Sequence, residues 1–167
     1  MRVSVGLLAV ALAAGGCQPP PAPQPTTRSA PGIVWRAAKA GLAVEVVVPE
    51  TGYARGDVIP VAVTARNTTA EEMTVTASTR AKVLVSILQS TPIGWEEIGR
   101  YPGAAATVLT TWTLAPGQTF THTMNVPVTA DWPTDEPLKL EAWLDGRPDV
   151  RPGGIIRVYP TGQQPDR

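Results

Sequence analysis

The side chains in this sequence that could do chemistry are few and scattered. His122 is the only histidine and Cys17 the only cysteine. A histidine acting as general base needs a nucleophile beside it and an acid to orient it. Ser86 with His122 and an aspartate is the one hydrolytic set the chain offers. Ser86, however, lies within the apolar run Val83–Leu88 and lacks the flanking glycines of a nucleophile elbow. His122 alternates with Phe120 and Met124, the setting of a half-buried core or edge histidine. A metal site would need more histidines or a carboxylate cluster. The acidic pairs Glu71-Glu72, Glu96-Glu97 and Asp135-Glu136 fall in or beside turns and read as solvated. No carboxylate spacing supports glycoside chemistry. No catalytic residue, metal or cofactor is therefore assigned, and the chain reads as a non-enzyme.

Recognition surfaces are the alternative to catalysis. Five of the nine aromatic residues are tryptophans: Trp35, Trp95, Trp112, Trp132 and Trp143. Trp143 falls on the face opposite Leu140 and Leu144, which directs it outward, and Trp132 sits in the loop Asp131-Trp132-Pro133. Exposed rings at Trp132 and Trp143 would form a surface for stacking sugars or binding protein, whereas packing in the core or at its rim is the structural alternative.

Cys17 stands where three kinds of sequence meet. Arg2 supplies a minimal positive region, Val3–Ala14 is a nearly unbroken apolar stretch, and Ala13, Ala14, Gly15 and Gly16 lead into the cysteine. The apolar stretch is 12 residues, short of the ~20 needed to cross a bilayer but of the length of a signal-peptide core. The string Leu12-Ala13-Ala14-Gly15-Gly16-Cys17 resembles the lipobox of bacterial lipoproteins, with Ala14 where that motif usually carries a branched aliphatic residue. The resemblance implies cleavage between Gly16 and Cys17, diacylglycerol on the sulfur and acylation of the new amino terminus. A lone cysteine in an exported chain calls for an explanation, and lipidation supplies one. An ordinary secretory signal and an uncleaved anchor are the alternatives. Two or three acyl chains anchor firmly where one holds only weakly. Gln18 follows the cysteine, and similarity to other lipoproteins then implies the outer membrane where an organism has one.

Gln18–Pro31 carries six prolines and almost no large apolar side chain. Such a segment folds into neither helix nor central strand and behaves as a semi-rigid polyproline II spacer. Fourteen residues at ~3.1 Å each would reach ~40 Å from the bilayer. Recognition of this stretch by a partner domain is the alternative. The chain carries 14 positive and 14 negative residues. Near-neutral, scattered charge gives no footprint for nucleic acid and no basic patch for anionic lipid.

The remaining residues, 32–160 with a tail at 161–167, are one domain's worth, enough to bury a core without disulfides. Short β-branched runs recur between turn residues. Period-two alternation marks strands at 42–48, 57–67, 71–78, 95–101, 107–114, 119–128 and 138–144. Residues 82–89 are apolar on both faces, as in a covered central strand, and 154–159 returns from Asp145-Gly146, the strongest hairpin signal. Pro60 belongs at an edge or bulge near its strand's start. Ala115-Pro116-Gly117-Gln118 predicts a type II turn, and Trp35–Ala40 a single helical turn. Nine short strands predict an all-β fold, an antiparallel immunoglobulin-like Greek-key sandwich.

Tyr53-x-x-Gly56-Asp57-x-Ile59-x-Val61-x-Val63-x-x-x-Asn67-x-Thr69 and Thr113-Leu114-Ala115-Pro116-Gly117-Gln118-Thr119 together resemble the intracellular proteinase inhibitor (BsuPI-like) family. That resemblance implies the sandwich fold and, less directly, protease binding; it transfers no inhibitory residue. The sequence thus predicts an exported, lipid-anchored protein of the cell envelope with a non-catalytic immunoglobulin-like domain. Its partners would be the membrane, through Cys17, and another protein. A proteinase-inhibitor-like module and a carbohydrate-binding module are the alternatives.

Overall fold

The computed structural model describes residues 32–103 and 107–163. Gly16, Cys17 and the proline-rich segment lie outside them. Eleven strands are described: β1 (Ile33–Lys39), β2 (Leu42–Val48), β3 (Gly52–Ala54), β4 (Val58–Asn67), β5 (Met73–Thr79), β6 (Val83–Thr91), β7 (Gly94–Tyr101), β8 (Thr107–Leu114), β9 (Thr119–Pro127), β10 (Pro137–Leu144) and β11 (Gly153–Tyr159). Sheet A has the order β1-β2-β4-β9, sheet B the order β3-β11-β10-β6-β7, and β5 pairs with β8 in sheet C. Pairing is antiparallel except between β3 and β11. The architecture is thus all-β, largely antiparallel and multi-sheet.

Alternation in the sequence becomes alternation in burial. Leu42, Val44, Val46 and Val48 of β2 and Ile59, Val61, Val63 and Ala65 of β4 are buried. They join Val83, Val85 and Ile87 of β6, Leu138, Leu140, Ala142 and Leu144 of β10, and Ile156 and Val158 of β11 in one hydrophobic cluster. The inner faces of sheets A and B therefore share a core. Pro60 lies two residues beyond Ala62, the last β4 residue paired with β2, so its missing N–H interrupts no ladder on that side. Gln118 N–H donates to Ala115 O at 2.9 Å, and Gly117 takes φ 72°, the turn expected at Pro116-Gly117.

Two expectations are corrected. Trp35–Ala40 forms no helical turn: it belongs to β1 and the hairpin after it, in which Lys39 pairs with Leu42. Ala40 and Gly41 form the two-residue loop with φ 46° and 76°, the left-handed conformation of a type I′ turn. Nor do Asp145 and Gly146 make a tight hairpin. The last β10–β11 pair is Glu141↔Gly153, and an eight-residue loop, 145–152, follows β10. Asp145 instead turns into the protein. It accepts hydrogen bonds from Ser78 Oγ (3.0 Å), Thr79 N–H (2.7 Å) and Thr79 Oγ1 (2.8 Å) at the end of β5. Gly146, at φ 90°, passes so close that a Cβ would lie 2.1 Å from Thr76 O.

Asn67, fully buried at the end of β4, is the second polar junction. Its Nδ2 donates to Glu71 O (2.7 Å) and Leu114 O (2.9 Å), while its Oδ1 accepts from Thr69 N–H (2.9 Å) and Thr69 Oγ1 (2.7 Å). Its backbone closes on Gln118 O and Gly117 N–H. One side chain thus ties β4 to β8 and to the turn that leads into β5. Leaving these groups unpaired in the interior is costly, so Asn67→Ala is expected to lose ~3 kcal/mol. The exposed control Glu72→Ala should stay within ~0.5 kcal/mol of wild type in urea unfolding.

Burial alone would raise the Asp145 carboxyl, but hydrogen bonds from Thr79 and Ser78 outweigh it and hold the pKa below the ordinary aspartate value. A depressed native pKa contributes stability above the unfolded value, ~3.9, and that contribution is lost as pH falls through the native one. Asp145→Asn should therefore be less stable than wild type at pH 7, with the gap narrowing at pH 3. Urea melts at the two pH values check this, and an unchanged gap would exclude the role assigned to the carboxylate.

Candidate functional site

The residues singled out as chemically capable are not assembled into one site. Ser86 is buried on β6, and its hydroxyl donates to Glu97 Oε2 of β7, which also receives Arg100 Nη2 at 2.8 Å. Burial would raise the Glu97 carboxyl, but the bonds from Arg100 and Ser86 and the nearby charge of Arg151 leave it lowered. His122 lies on β9 of the other large sheet, stacked on Phe120 with ring centroids 6.3 Å apart. Among the described residues, no group of three or more histidine, cysteine, aspartate or glutamate side chains is placed to hold a metal ion.

The exposed-tryptophan surface is also corrected. Trp132 is 2% exposed and Trp143 3% exposed. Trp132 packs in the shared core, edge-on to Tyr101 at 6.4 Å, and its carbonyl accepts Arg55 Nη2 at 2.6 Å. Trp143 does lie outside the shared core cluster, as its parity in β10 requires. Its ring is nonetheless covered by arginines: Arg151 Cζ sits 4.2 Å from the centroid and Arg100 Cζ 5.9 Å. Guanidinium stacking on the indole face is favourable and removes the ring from solvent. Neither ring is available as a sugar platform.

A different set of residues forms the site with the shape to bind something. A groove of about 680 Å³ runs beside β9, the edge strand of sheet A. Phe120, His122, Met124 and Asn125 of β9 form one wall; Val83 at the start of β6 and Tyr101-Pro102 at the end of β7 form the other; Arg80 and Lys82 flank one end. Its volume falls within the range of small-molecule pockets, and its lining mixes apolar side chains with a few polar groups. Lys82 Nζ is held over two rings, 5.0 Å from the centroid of Trp112 and 5.5 Å from that of Phe120. Trp112 and Phe120 pack at 5.0 Å. The buried Trp112 Nε1 has no hydrogen-bond partner among the described residues. At the other end, Tyr101 OH donates to Pro127 O. Burial, and after it the charge of Asp131, raises the Tyr101 phenol. The groove is thus cationic at its Lys82 end and acidic beyond its Tyr101 end.

Sequence reasoning reached His122 but not its neighbours as a group. Arg80 with Lys82, Tyr101 and Phe120 come from three places in the chain, and only the pairing and packing of strands brings them together. The one signal available was the placement of Lys82 and Arg80 at the mouth of an apolar strand.

No protein-family profile matches the chain, and no curated protein matches it. Solved structures do. The sporulation control protein Spo0M of Bacillus subtilis is similar at 11% identity and TM-score 0.52, over 72% of this chain and 50% of that one. The alkylpurine DNA glycosylase AlkC of Pseudomonas fluorescens is similar at 12% identity and TM-score 0.48, over 72% and 31%. The CARDB domain of the PF1109 protein of Pyrococcus furiosus is similar at 13% identity and TM-score 0.40, over 75% and 94%. The chain spans half the length of Spo0M, and at that identity the likeness shows a small β-domain fold and nothing about activity.

The corrected placement of Trp132 has a direct consequence. Trp132→Ala should destabilise the domain by ~3–5 kcal/mol, as loss of a buried tryptophan does. Chemical denaturation followed by circular dichroism measures this. A variant as stable as wild type would mean that the ring is not part of the core.

Proposed function

We propose that this chain is a lipid-anchored protein of the cell envelope whose domain, an immunoglobulin-like Greek-key sandwich, is a non-catalytic binding module. The observation that carries the binding reading is the groove beside β9. It offers apolar and aromatic walls and two cations, Arg80 and Lys82, while the hydroxyl of Ser86 is engaged elsewhere by Glu97. A small all-β domain with such a groove suits recognition better than turnover. The anchoring reading rests on the sequence around Cys17: an apolar stretch of signal-peptide length before it and a proline-rich spacer after it. In this reading the acyl chains hold Cys17 at the membrane and the spacer presents the groove to a protein partner.

A proteinase-inhibitor-like module is the second reading. What favours it is the Tyr53–Thr69 pattern and its later companion at 113–119. Those residues shape turns and the core of this domain, so they support the fold more than a protease contact.

Membrane fractionation of cells expressing the wild-type chain and Cys17→Ser tests the anchor. The wild-type protein is expected in the membrane fraction with a mass that begins at Cys17 and includes acyl groups. Cys17→Ser is expected to lose the acyl mass and most of the membrane association. Retention of residues before Cys17 in the mature wild-type protein, or unchanged association of the variant, would overturn the anchoring.

A further inference from the structure

Long edge strands are normally guarded by charge, proline, bulges or shortness, because their free backbone groups will otherwise pair with another chain. Three of the four edges of the two large sheets follow this rule. β1 carries Arg36 and Lys39. β7 carries Glu96, Glu97 and Arg100 and is shifted in register at Ile87/Leu88. β3 has three residues. The fourth edge does not. β9, nine residues of sequence TFTHTMNVP, has no formally charged residue and no proline before its last position. Among the described residues it pairs on one side only, with β4. It is also the strand beside which the cationic groove lies.

We propose that β9 is a strand-addition site for an extended, acidic segment of a protein partner. The segment pairs along the free edge of β9. Alternate side chains then enter the groove against Phe120, His122 and Met124, and a carboxylate at one end meets Arg80 and Lys82. Charge complementarity selects this occupant. Among the described residues, the only charged ones that line the groove are those two cations, and neither forms a salt bridge with a carboxylate. Cation–π contacts hold Lys82 at the Phe120 end. Asp131, whose charge is felt at Tyr101, disfavours a second acidic group at the far end and so sets the segment's direction. Backbone pairing supplies affinity and the alternating pockets supply selectivity, as in other strand-addition complexes.

This inference rests on the binding-module reading but not on the lipid, so it is tested in the full chain carrying Cys17→Ser. Its failure is therefore separate from failure of the anchoring experiment. The probes are three acetylated, amidated nine-residue peptides of alternating valine and threonine that differ only in one terminal pair: two aspartates, two lysines or two asparagines. Binding is read from amide shifts and hydrogen-exchange protection in isotope-labelled protein, and the oligomeric state from sedimentation velocity. The aspartate peptide is expected to shift and protect amides of residues 119–127 and to bind more tightly than the other two. The double variant R80Q/K82Q is expected to weaken the aspartate peptide about tenfold and so to remove its advantage over the asparagine peptide. Equal binding of the three peptides, or no effect at 119–127 at millimolar aspartate peptide, would overturn the proposal. So would concentration-dependent dimerisation that protects 119–127 without peptide, because it would assign the edge to a second copy of this chain.

Discussion

The fold depends on a polar side chain with no exposure to water. Asn67 satisfies two carbonyls and two donors at the point where β4 ends, the chain turns toward β5, and β8 gives way to the Pro116-Gly117 turn. A buried amide stabilises only when each of its groups is paired, and a half-satisfied one is worse than an apolar residue. That asymmetry makes Asn67 a geometric constraint: sheet C must sit where Glu71 O and Leu114 O can both be reached. Asp145 imposes the same condition from the other large sheet. Its carboxylate holds the end of β5 through Ser78 and Thr79, and its N–H donates to Lys82 O at 3.0 Å. The two-stranded sheet C, which among the described residues pairs with neither large sheet, is pinned to both by these two residues.

This explains what the proteinase-inhibitor-like pattern measures. Asn67 and Thr69 form the junction just described. Gly56 takes φ 92° in the turn closed by Asp57 N–H to Ala54 O, and Asp57 Oδ2 accepts Ala54 N–H at 2.7 Å. Tyr53 is buried, its hydroxyl donates to Glu50 O at 2.8 Å, and burial pushes the phenol up to about 12. Ile59, Val61 and Val63 are core. Each position of the pattern is occupied in building turns and packing sheets. A pattern made of such residues travels with a fold across unrelated activities.

The same physics decides how much of the fold was legible. Strands such as β2 and β4, buried on one face, print their period directly, and the covered strand β6 prints an apolar run. β1 was misread because its burial is slight and its turn is Ala40-Gly41, without the asparagine or aspartate that normally announces a type I′ turn. The Asp-Gly signal at 145–146 misled for the opposite reason. Aspartate before glycine also suits a carboxylate that must reach backward and a backbone that must pass close, and here Gly146 abuts Thr76 O. Trp35 was equally hidden. Its indole lies against Gly154, where a Cβ would fall 2.1 Å from Trp35 Cε2, a contact between residues 119 positions apart. For Trp143, parity gave the correct face, but exposure depended on Arg100 and Arg151, which alternation cannot place.

The groove was illegible for a further reason that ties it to the buried anchors. Trp112 belongs to β8 and pairs with Val75 of β5, so it rides on sheet C. Asn67 fixes the end of β8 at Leu114, and Asp145 fixes the end of β5 at Thr79. Trp112 in turn meets Phe120 and helps hold Lys82 at the groove's mouth. The charge that gives the groove its polarity is thus positioned through two buried hydrogen-bond junctions, one from each large sheet. Loosening either junction acts on the mouth of the groove as well as on the core, because the anchored strands are the ones that carry Trp112. The frame and the groove of this domain are therefore coupled. The cations at the groove's mouth, which lie between β5 and β6, thus owe their setting in part to sheet C, although β9, the strand that lines the groove, belongs to sheet A.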